Sequence, residues 1–274
     1  MECLVLGHIV KDVVVKGSDR ELRIGGGAYY SALALSKFCL PEIVTSVGED
    51  FPRRWLDGLR ELGIKIRIIP SERSTVYELH YTPHGRELFL RSVGEPIEKV
   101  PSGRYGLVVL NPVAAEIPQD VVTRILEAFP FVSVDVQGFV RRPDPGRVSC
   151  SRIDASFLRG AKVVHADMGE ARFLSNFSPS DVEVFLVSRG GESGFAHFKG
   201  RLYEFRPLPV GTQDTTGAGD VFLAAFSGYY LKCPFIQALK RAVAFVTLFL
   251  KRRGLDFSED EVGKLARGVE VKRV

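Results

Sequence analysis

The chain has 274 residues, enough for one large α/β domain, and its 45% hydrophobic and 26% charged content excludes a largely disordered protein. Its 37 basic and 33 acidic residues leave a formal charge of +4, a field too weak to favour nucleic acid as a partner. No stretch approaches the roughly 20 uninterrupted apolar residues of a membrane-spanning helix, so we expect no membrane partner either.

The four cysteines lie far apart in the sequence, and no two have the short spacing of a zinc site or a redox motif. We therefore expect reduced thiols at Cys3, Cys39, Cys150 and Cys233. The N-terminal segment is a short apolar run with Glu2 near its start, whereas an export signal carries basic residues and a longer apolar stretch. The sequence thus predicts a cytoplasmic protein whose first element is a strand.

The N-terminal region predicts one buried strand followed by a small hairpin. Residues 3–6 form a continuous apolar run, which is typical of a central parallel strand covered on both faces. Asp12 lies just beyond its carboxyl end, where open α/β sheets present ligand-binding residues. Residues 13–15 and 21–24 flank a polar turn and indicate the hairpin. Three glycines at 25–27 then enter a helical segment, and they permit close approach of a ligand or, equally, of another backbone segment.

A second β-rich region contains three candidate strands, at 64–69, 75–82 and 87–92. The last two form a hairpin through Pro83-His84-Gly85-Arg86. Together with the early hairpin they make a small sheet of about four strands. We expect this sheet to cover a single domain spanning 1–274, as a lid inserted at about 12–24 and 64–92. Its free edges could pair with a second subunit to give a homodimer.

From residue 105 onward, apolar strands alternate with helical segments, which predicts a parallel sheet with helices on both faces. The strands are predicted at 106–110, 131–136, 161–166 and 184–188. Polar residues follow the strand ends, and this clustering indicates a site along one edge of the sheet. These residues are Asn111, Asp135 with Gln137, Asp167 with Glu170, and Ser188 with Arg189.

The most informative segment is the motif DTTGAGD at 214–220, which precedes an apolar helix. Gly217 and Gly219 allow backbone N–H groups to converge at a helix N-terminus, where the helix dipole also favours a phosphate. Asp220 enters the same turn, so its carboxylate could accept the proton of an attacking hydroxyl. A carboxylate in a first helical turn can also be a simple cap, although capping does not explain the whole motif.

This motif, the early GGGA segment and the lid-like strands resemble the ribokinase, or PfkB, family of carbohydrate kinases over nearly the whole chain. The resemblance implies a three-layer α/β fold in which helices flank a central, mainly parallel sheet and a small β-sheet forms a lid. It also implies a kinase that transfers a phosphoryl group from ATP, with Mg²⁺, to a hydroxyl of a sugar, polyol or nucleoside.

The resemblance also implies roles for individual residues. Asp220 matches the base, and the amides of Gly217, Ala218 and Gly219 match the anion hole. Asp167 and Glu170 match the N-x-x-E motif that positions Mg²⁺ through water, with aspartate in place of the usual asparagine. The predicted nucleotide-binding residues are Ser188, Arg189, Gly190, Gly191, Gly194 and Thr215.

The acceptor pocket departs from that of typical ribokinases. Tyr30 stands where the family usually has asparagine, and Gly27 stands where many sugar kinases have a polar side chain. Segments such as GHIVKD, VDVQGF and HADMGE resemble the archaeal myo-inositol 3-kinase branch of the family. This resemblance implies a polyol acceptor bound by Asp12, Gly26, Gly27, Asn111, Gln137 and Arg141. Tyr29 and Tyr30 could instead be packing residues, and a salt bridge would equally explain Asp135 with Arg141.

Three rival functions stay open at this point. The same chemistry could act on a nucleoside, ribose or another sugar, and a silent relative could bind a sugar or nucleotide as a sensor. A nicotinamide-dependent dehydrogenase would share the sheet pattern, but no G-x-G-x-x-G follows the first strand.

Overall fold

The computed structural model describes residues 1–82, 85–212 and 214–274, so the turn predicted at Pro83 and His84 lies outside the described residues. The strands are β1 (Glu2–Leu6), β2 (Val10–Lys16), β3 (Asp19–Gly25), β4 (Leu40–Val47), β5 (Lys65–Pro70), β6 (Val76–Thr82), β7 (Gly85–Ser92), β8 (Leu107–Leu110), β9 (Val132–Asp135), β10 (Gly146–Arg147), β11 (Ile153–Asp154), β12 (Val163–Asp167), β13 (Leu174–Ser175), β14 (Val184–Arg189), β15 (Glu192–Phe198), β16 (Arg201–Phe205) and β17 (Val271–Arg273). The helices are α1 (Gly27–Leu35), α2 (Arg53–Glu61), α3 (Gln119–Ala128), α4 (Gln137–Val140), α5 (Met168–Ala171), α6 (Ala218–Tyr230), α7 (Phe235–Arg252) and α8 (Glu259–Ala266).

The large sheet has ten strands in the order β17-β16-β15-β14-β12-β9-β8-β1-β4-β5. The seven strands from β14 to β5 run parallel to one another, and β15, β16 and β17 continue the sheet in antiparallel pairs. Because the carboxyl ends of parallel strands meet at one edge, the polar residues predicted after them are brought together there.

Both faces of this sheet are covered. Cys3 and Val5 of β1 belong to the core built with α1, α6 and α7, whereas Leu4 and Leu6 belong to the core built with α3. Since successive side chains of a strand point to opposite faces, a continuous apolar run is what a doubly covered strand requires. The predicted parallel sheet with helices on both faces is therefore confirmed.

The small sheet has five strands in the order β10-β7-β6-β2-β3. Its inner face packs on the loop that follows β8, through Val10, Tyr77, Leu79 and Leu90 against Val113 and Ala114. The sheet thus lies next to the carboxyl edge of the large sheet. Its outermost strands are β3 and β10, and a homodimer through them stays a prediction.

Two details of the predicted lid differ from the structure. The strand at Lys65–Pro70, placed by the sequence within the lid insertion, pairs parallel with β4 and forms the far edge of the large sheet. The two-residue strand β10, which the sequence did not reveal, pairs with β7 and adds a fifth strand to the small sheet. Both differences come from pairing between distant segments, which local composition does not encode.

The expectation of reduced thiols is wrong for one pair of cysteines. Cys3 and Cys39 form a disulfide with their Cα atoms 6.1 Å apart, because Cys39 directly precedes β4 and β4 lies beside β1. Cys150 and Cys233 are free and partly exposed. No helix in the described part of the chain is both long and apolar enough to cross a membrane.

Candidate active site

The carboxyl edge of the large sheet and the inner face of the small sheet line a cavity of about 490 Å³. Most of the predicted site residues contribute to its wall. They are Asp12, Gly26, Gly27, Gln137, Arg141, Asp167, Glu170, Ser188, Arg189, Gly190, Gly191, Thr215, Gly217, Ala218, Gly219 and Asp220. Two predicted residues do not line it: Asn111 is fully buried, and Gly194 packs in β15 against the ring of Phe205.

Asp220 lies in the first turn of α6 and is 9% exposed. Its Oδ1 accepts hydrogen bonds from the Asn111 side-chain amide at 3.0 Å and from the Gln137 side-chain amide at 2.8 Å. The Gln137 amide also donates to Asn111 Oδ1 at 3.0 Å, so the three side chains form a closed network. This network fixes the carboxylate, and Asn111 reaches the site through it.

The electrostatic surroundings of Asp220 favour a proton on its carboxyl group. Burial, together with the negative charge of Asp135, raises the pKa of Asp220 to about 6. The Asn111 hydrogen bond and the positive charge of Arg141 oppose this rise. A carboxyl group with a pKa near neutrality is suited to general base catalysis.

The turn before Asp220 requires a glycine at position 217. Gly217 caps α6 with φ of 79°, in the left-handed region, and a Cβ atom there would lie 2.5 Å from the ring of Tyr30. The Tyr30 ring packs edge-on against Tyr29 and Phe249 and also lines the cavity. Tyr30 is therefore both a packing residue and part of the cavity wall. The two interpretations that the sequence left open, packing and acceptor binding, are compatible with each other.

The early glycines allow close packing inside the protein. A Cβ atom on Gly25 would overlap the carboxylate of Asp12, which lies on β2, and a Cβ atom on Gly27 would overlap the side chain of Asn111. Gly26 has φ of 97° and faces the backbone of His8. These glycines thus bring β2, α1 and the loop after β8 together around the cavity.

Arg141 and Asp135 do not form the salt bridge considered from the sequence. Arg141 instead contacts Glu170, with Nη2 3.3 Å from Oε1. Burial raises the pKa of Glu170, and the charge of Arg141 opposes this effect. Asp135 pairs with His165, as described below.

Asp167 and Glu170 form a capping box at the start of α5. Asp167 Oδ1 accepts from the Gly169 backbone N–H at 2.8 Å, and Glu170 Oε2 accepts from the Asp167 backbone N–H at 3.3 Å. Within the described residues, no group of three or more His, Cys, Asp or Glu side chains could hold a metal ion by itself. Two carboxylates at a cavity wall suit Mg²⁺, which keeps several waters and shares its coordination with substrate phosphates.

His165 is the main polar residue of the site that the sequence analysis did not single out. Its Nδ1 lies 2.6 Å from Asp135 Oδ2 and its Nε2 lies 3.0 Å from Ser188 Oγ. Burial disfavours the charged ring, but the carboxylate of Asp135 outweighs this effect and raises the pKa of His165. A histidine inside the otherwise apolar run VVHA, between Val164 and Ala166, is the signal that could have identified it.

Asp214, the first residue of the motif, connects the turn to two other parts of the protein. Its Oδ2 lies 2.9 Å from Arg253 Nη2 at the end of α7 and 3.4 Å from Arg23 Nη1 on β3. Its Oδ1 accepts from the backbone N–H of Thr216 at 3.1 Å. The small sheet is thus linked directly to the glycine turn.

One end of the cavity is apolar. Its wall there comes from the segment after β16 and from one side of α7, namely Pro207, Leu208, Val210, Val243, Val246 and Leu250. An apolar lining beside a few polar groups is typical of a small-molecule pocket.

A model of the pfkB carbohydrate kinase family matches residues 148–261, a range that contains α5, β14, the glycine turn and Asp220. Over this range the chain is similar to the pfkB family of carbohydrate kinases.

Two curated kinases are similar in sequence to most of the chain. The cytidine kinase of Thermococcus kodakarensis is 25% identical over 288 residues, covering 93% of this chain and 98% of that protein. The inositol 3-kinase of Arabidopsis thaliana is 24% identical over 237 residues, covering 80% of this chain and 65% of that protein.

Solved structures confirm the predicted ribokinase-like fold. A pyrophosphate-dependent kinase of the ribokinase family, in complex with sulfate, superimposes with a TM-score of 0.81 at 24% identity, covering 95% of this chain and 99% of the other. A second structure concerns the conversion of a pyrophosphate-dependent myo-inositol-1 kinase into a myo-inositol-3 kinase by replacing an asparagine and a serine with leucine. It has a TM-score of 0.79 at 24% identity and covers 97% of this chain and 98% of the other.

Proposed function

We propose that this chain is a cytoplasmic kinase that transfers the γ-phosphoryl group of ATP to the 3-hydroxyl of myo-inositol. The observation that carries this proposal is the buried Asp220 carboxylate, held by two side-chain amides next to the glycine turn at the cavity wall. In this proposal the chain acts as one catalytic domain, and the small sheet is its lid.

Asp220 is the base in this mechanism. Both amides donate to Oδ1, so Oδ2 is the oxygen left to take the proton of the acceptor hydroxyl. The amides of Gly217 and Gly219 then hold the phosphoryl group at the N-terminus of α6, where partial positive charge accumulates. The Ala218 amide donates to the Thr215 carbonyl at 3.1 Å and would join them only by exchanging that hydrogen bond for one to the phosphoryl group. Positioning and charge stabilisation of this kind supply most of the barrier reduction in phosphoryl transfer.

Asp167 and Glu170 would hold Mg²⁺ through water at the same edge of the cavity. The ion, when bound, neutralises negative charge on the phosphates. Arg141 contacts Glu170 and lines the cavity, so its guanidinium can contact both the acceptor and the transferring group.

A ring with several hydroxyl groups suits the acceptor end of the cavity. Asp12, Gln137, Arg141 and the backbone of Gly26 and Gly27 offer hydrogen-bonding groups there. A site that hydrogen-bonds each hydroxyl rejects analogues that lack one. Tyr30 and Tyr77 add aromatic walls, and burial raises the pKa of the Tyr77 phenol to about 12.

The apolar end of the cavity supports a nucleotide as donor. Pyrophosphate offers only charged and polar oxygens, and it would leave the partly exposed Leu208 and Val246 in contact with water. A nucleobase would cover these side chains and gain their hydrophobic contact. The apolar end of the cavity therefore favours ATP, although the related solved structures concern pyrophosphate-dependent kinases.

A matrix of donors and acceptors tests the proposal. We expect ATP with myo-inositol to give the highest kcat/KM among ATP, GTP and pyrophosphate combined with myo-inositol, ribose, fructose and cytidine. Release of ADP or phosphate measures turnover, and mass spectrometry of the product gives the acceptor. Cytidine is a second candidate acceptor because of the 25% identity to a cytidine kinase, and preferential turnover of cytidine would replace myo-inositol in the proposal. Donor binding without turnover of any acceptor would indicate a sensor.

Two leucines of the lid support phosphorylation at the 3-hydroxyl. Leu79 on β6 and Leu88 on β7 are cross-strand partners, and both line the cavity. The 1- and 3-hydroxyls of myo-inositol are related by a mirror plane, so the pose of the ring decides which one faces the base. Leucine side chains disfavour a pose that presses a hydroxyl against them, because that hydroxyl loses its hydrogen bonds to water. We propose that Leu79 and Leu88 correspond in role to the two introduced leucines of the related myo-inositol kinase.

We expect the double variant Leu79→Asn/Leu88→Ser to shift the product from the 3-phosphate toward the 1-phosphate. New hydrogen bonds to the ring favour the mirror-related pose, and a net gain of one such bond changes the product ratio by about 10-fold. Chromatography on a chiral phase separates the two enantiomeric products. Leu90→Ser is the control, because Leu90 faces the same side of β7 in the buried core but lies outside the cavity wall. An unchanged product ratio in the double variant would contradict the assignment.

A further inference from the structure

Three polar side chains form a chain of contacts beneath the glycine turn. Asp135, His165 and Ser188 lie on the neighbouring strands β9, β12 and β14. Asp135 and His165 are direct partners across β9 and β12, while Ser188 is paired with Asp167, two residues beyond His165. The mechanism above does not use Asp135 or His165.

The imidazole ring is held from both sides. A carboxylate only accepts hydrogen bonds, so Nδ1 of His165 carries a proton and donates it to Asp135 Oδ2 over 2.6 Å. This contact directs Nε2 toward Ser188 Oγ at 3.0 Å. Both Asp135 and His165 are 2% exposed, so rotation of the ring would leave the buried Oδ2 of Asp135 without the donor at His165 Nδ1.

The same ring also contacts the glycine turn. A Cβ atom on Gly219 would lie 3.1 Å from His165 Cε1, which places the ring against the backbone of that residue. Phe222, one turn further along α6, packs edge-on against the ring with centroids 5.7 Å apart. His165 therefore contacts two groups at the cavity wall, the Ser188 hydroxyl and the backbone of the turn.

We propose that His165, oriented by Asp135, is a positioning residue for the phosphate donor. It fixes the Ser188 hydroxyl and supports the Gly219 backbone, so that both present hydrogen-bonding groups to the donor phosphates at once. Pre-organised groups bind a ligand more tightly because they lose less conformational freedom on binding. The inference rests on the proposed binding of the donor phosphates at this turn, but not on the identity of the acceptor.

Two substitutions separate the two hydrogen bonds of the ring. His165→Asn places an amide near the position of Nδ1, so it keeps Asp135 paired and loses the contact with Ser188. His165→Gln places an amide near the position of Nε2, so it keeps the contact with Ser188. It removes the donor to Asp135 Oδ2, while Asp135 Oδ1 keeps the hydrogen bond from the Gln137 backbone N–H. A purely structural role predicts that the asparagine variant loses less stability and less donor affinity than the glutamine variant, since a buried carboxylate oxygen without its donor is costly. A positioning role predicts that it binds the donor more weakly than the glutamine variant does.

Calorimetric titration with two non-hydrolysable donor analogues, AMP-PNP and imidodiphosphate, tests the proposal in the presence of Mg²⁺. We expect His165→Asn and Ser188→Ala each to raise the Kd of both analogues by about 10-fold, the loss of one hydrogen bond to a charged group. The KM of the acceptor should stay unchanged. The double variant His165→Asn/Ser188→Ala should bind the analogues no more weakly than either single variant, because both changes remove the same interaction.

Ser133→Ala is the matched control, since Ser133 is a fully buried serine on β9 that hydrogen-bonds Ser227 and lies outside the cavity wall. It should change thermal stability without changing the Kd of the analogues. Wild-type Kd values in Ser188→Ala, or multiplicative effects in the double variant, would overturn the proposal. If the wild-type protein binds both analogues but turns over no polyol, the proposed acceptor fails while this inference still stands.

Discussion

Replacement of Asp220 with asparagine is expected to lower kcat by about 10²–10⁴-fold, the usual contribution of a general base. The asparagine carbonyl can still accept from Asn111 and Gln137, so the geometry around position 220 should be kept. The variant lacks a group that can take the proton of the acceptor hydroxyl. Steady-state kinetics should therefore show a large loss in kcat with little change in either KM, and near-normal turnover would exclude Asp220 as the base.

The pH dependence gives a second measure of the same assignment. Because the pKa of Asp220 is raised to about 6, the carboxyl group is protonated and inactive as a base below that pH. The kcat/KM of the wild-type protein should rise with pH through about 6, and this limb should be absent from the residual activity of Asp220→Asn. Asp154→Asn is the control, since Asp154 lies outside the cavity wall and hydrogen bonds from Ser156 lower the pKa of Asp154 to about 2.

As the pH rises, the folding stability of the wild-type protein should fall while its kcat/KM increases. The folded-state pKa of Asp220 lies above the ordinary value of 3.8, so the folded protein binds this proton more tightly than the unfolded chain does. Folding stability is therefore lost as the pH rises from about 4 to about 6 and the buried group becomes charged. At pH 7 the asparagine variant should unfold at the same or a higher temperature than the wild type, which separates loss of catalysis from loss of structure.

The sequence was sufficient for features that depend on short segments. Continuous apolar runs such as residues 3–6 predict doubly covered strands, because both faces of each strand must be apolar. The spacing of Gly217, Gly219 and Asp220 within one turn likewise fixes where the backbone can converge and where the carboxylate lies. These features need no knowledge of which strands are neighbours.

Features that depend on strand order were missed for a physical reason. The disulfide between Cys3 and Cys39 requires β1 to lie beside β4, and a separation of 36 residues does not indicate this. The contact of His165 with Asp135 depends in the same way on β12 lying beside β9. Arg141 pairs with Glu170 rather than with the carboxylate nearer to it in sequence, since the chain brings α5 to the end of the neighbouring strand.

Substitution of Gly217 with alanine is expected to lower kcat/KM by about 10²–10³-fold, the usual loss when one anion-hole donor is removed. The added Cβ would lie 2.5 Å from the Tyr30 ring, and that ring is held in place by Tyr29 and Phe249. The turn must therefore move, and the amides at the start of α6 no longer converge on one phosphate.

The left-handed φ of 79° at Gly217 adds strain of about 1–2 kcal/mol in any residue with a side chain, so strain and displacement must be separated. Gly200 provides the control, because it has φ of 73°, has open space where its Cβ would lie, and is outside the cavity wall. Gly200→Ala should lose a similar amount of stability in urea denaturation and keep wild-type kinetics. Equal kinetics in the two variants would mean that the position of this turn does not control phosphoryl transfer. A loss of kcat/KM confined to Gly217→Ala would instead show that close packing of Gly217 on the Tyr30 ring sets where the phosphate is held. Tyr30 is the aromatic residue at the family's usual asparagine position.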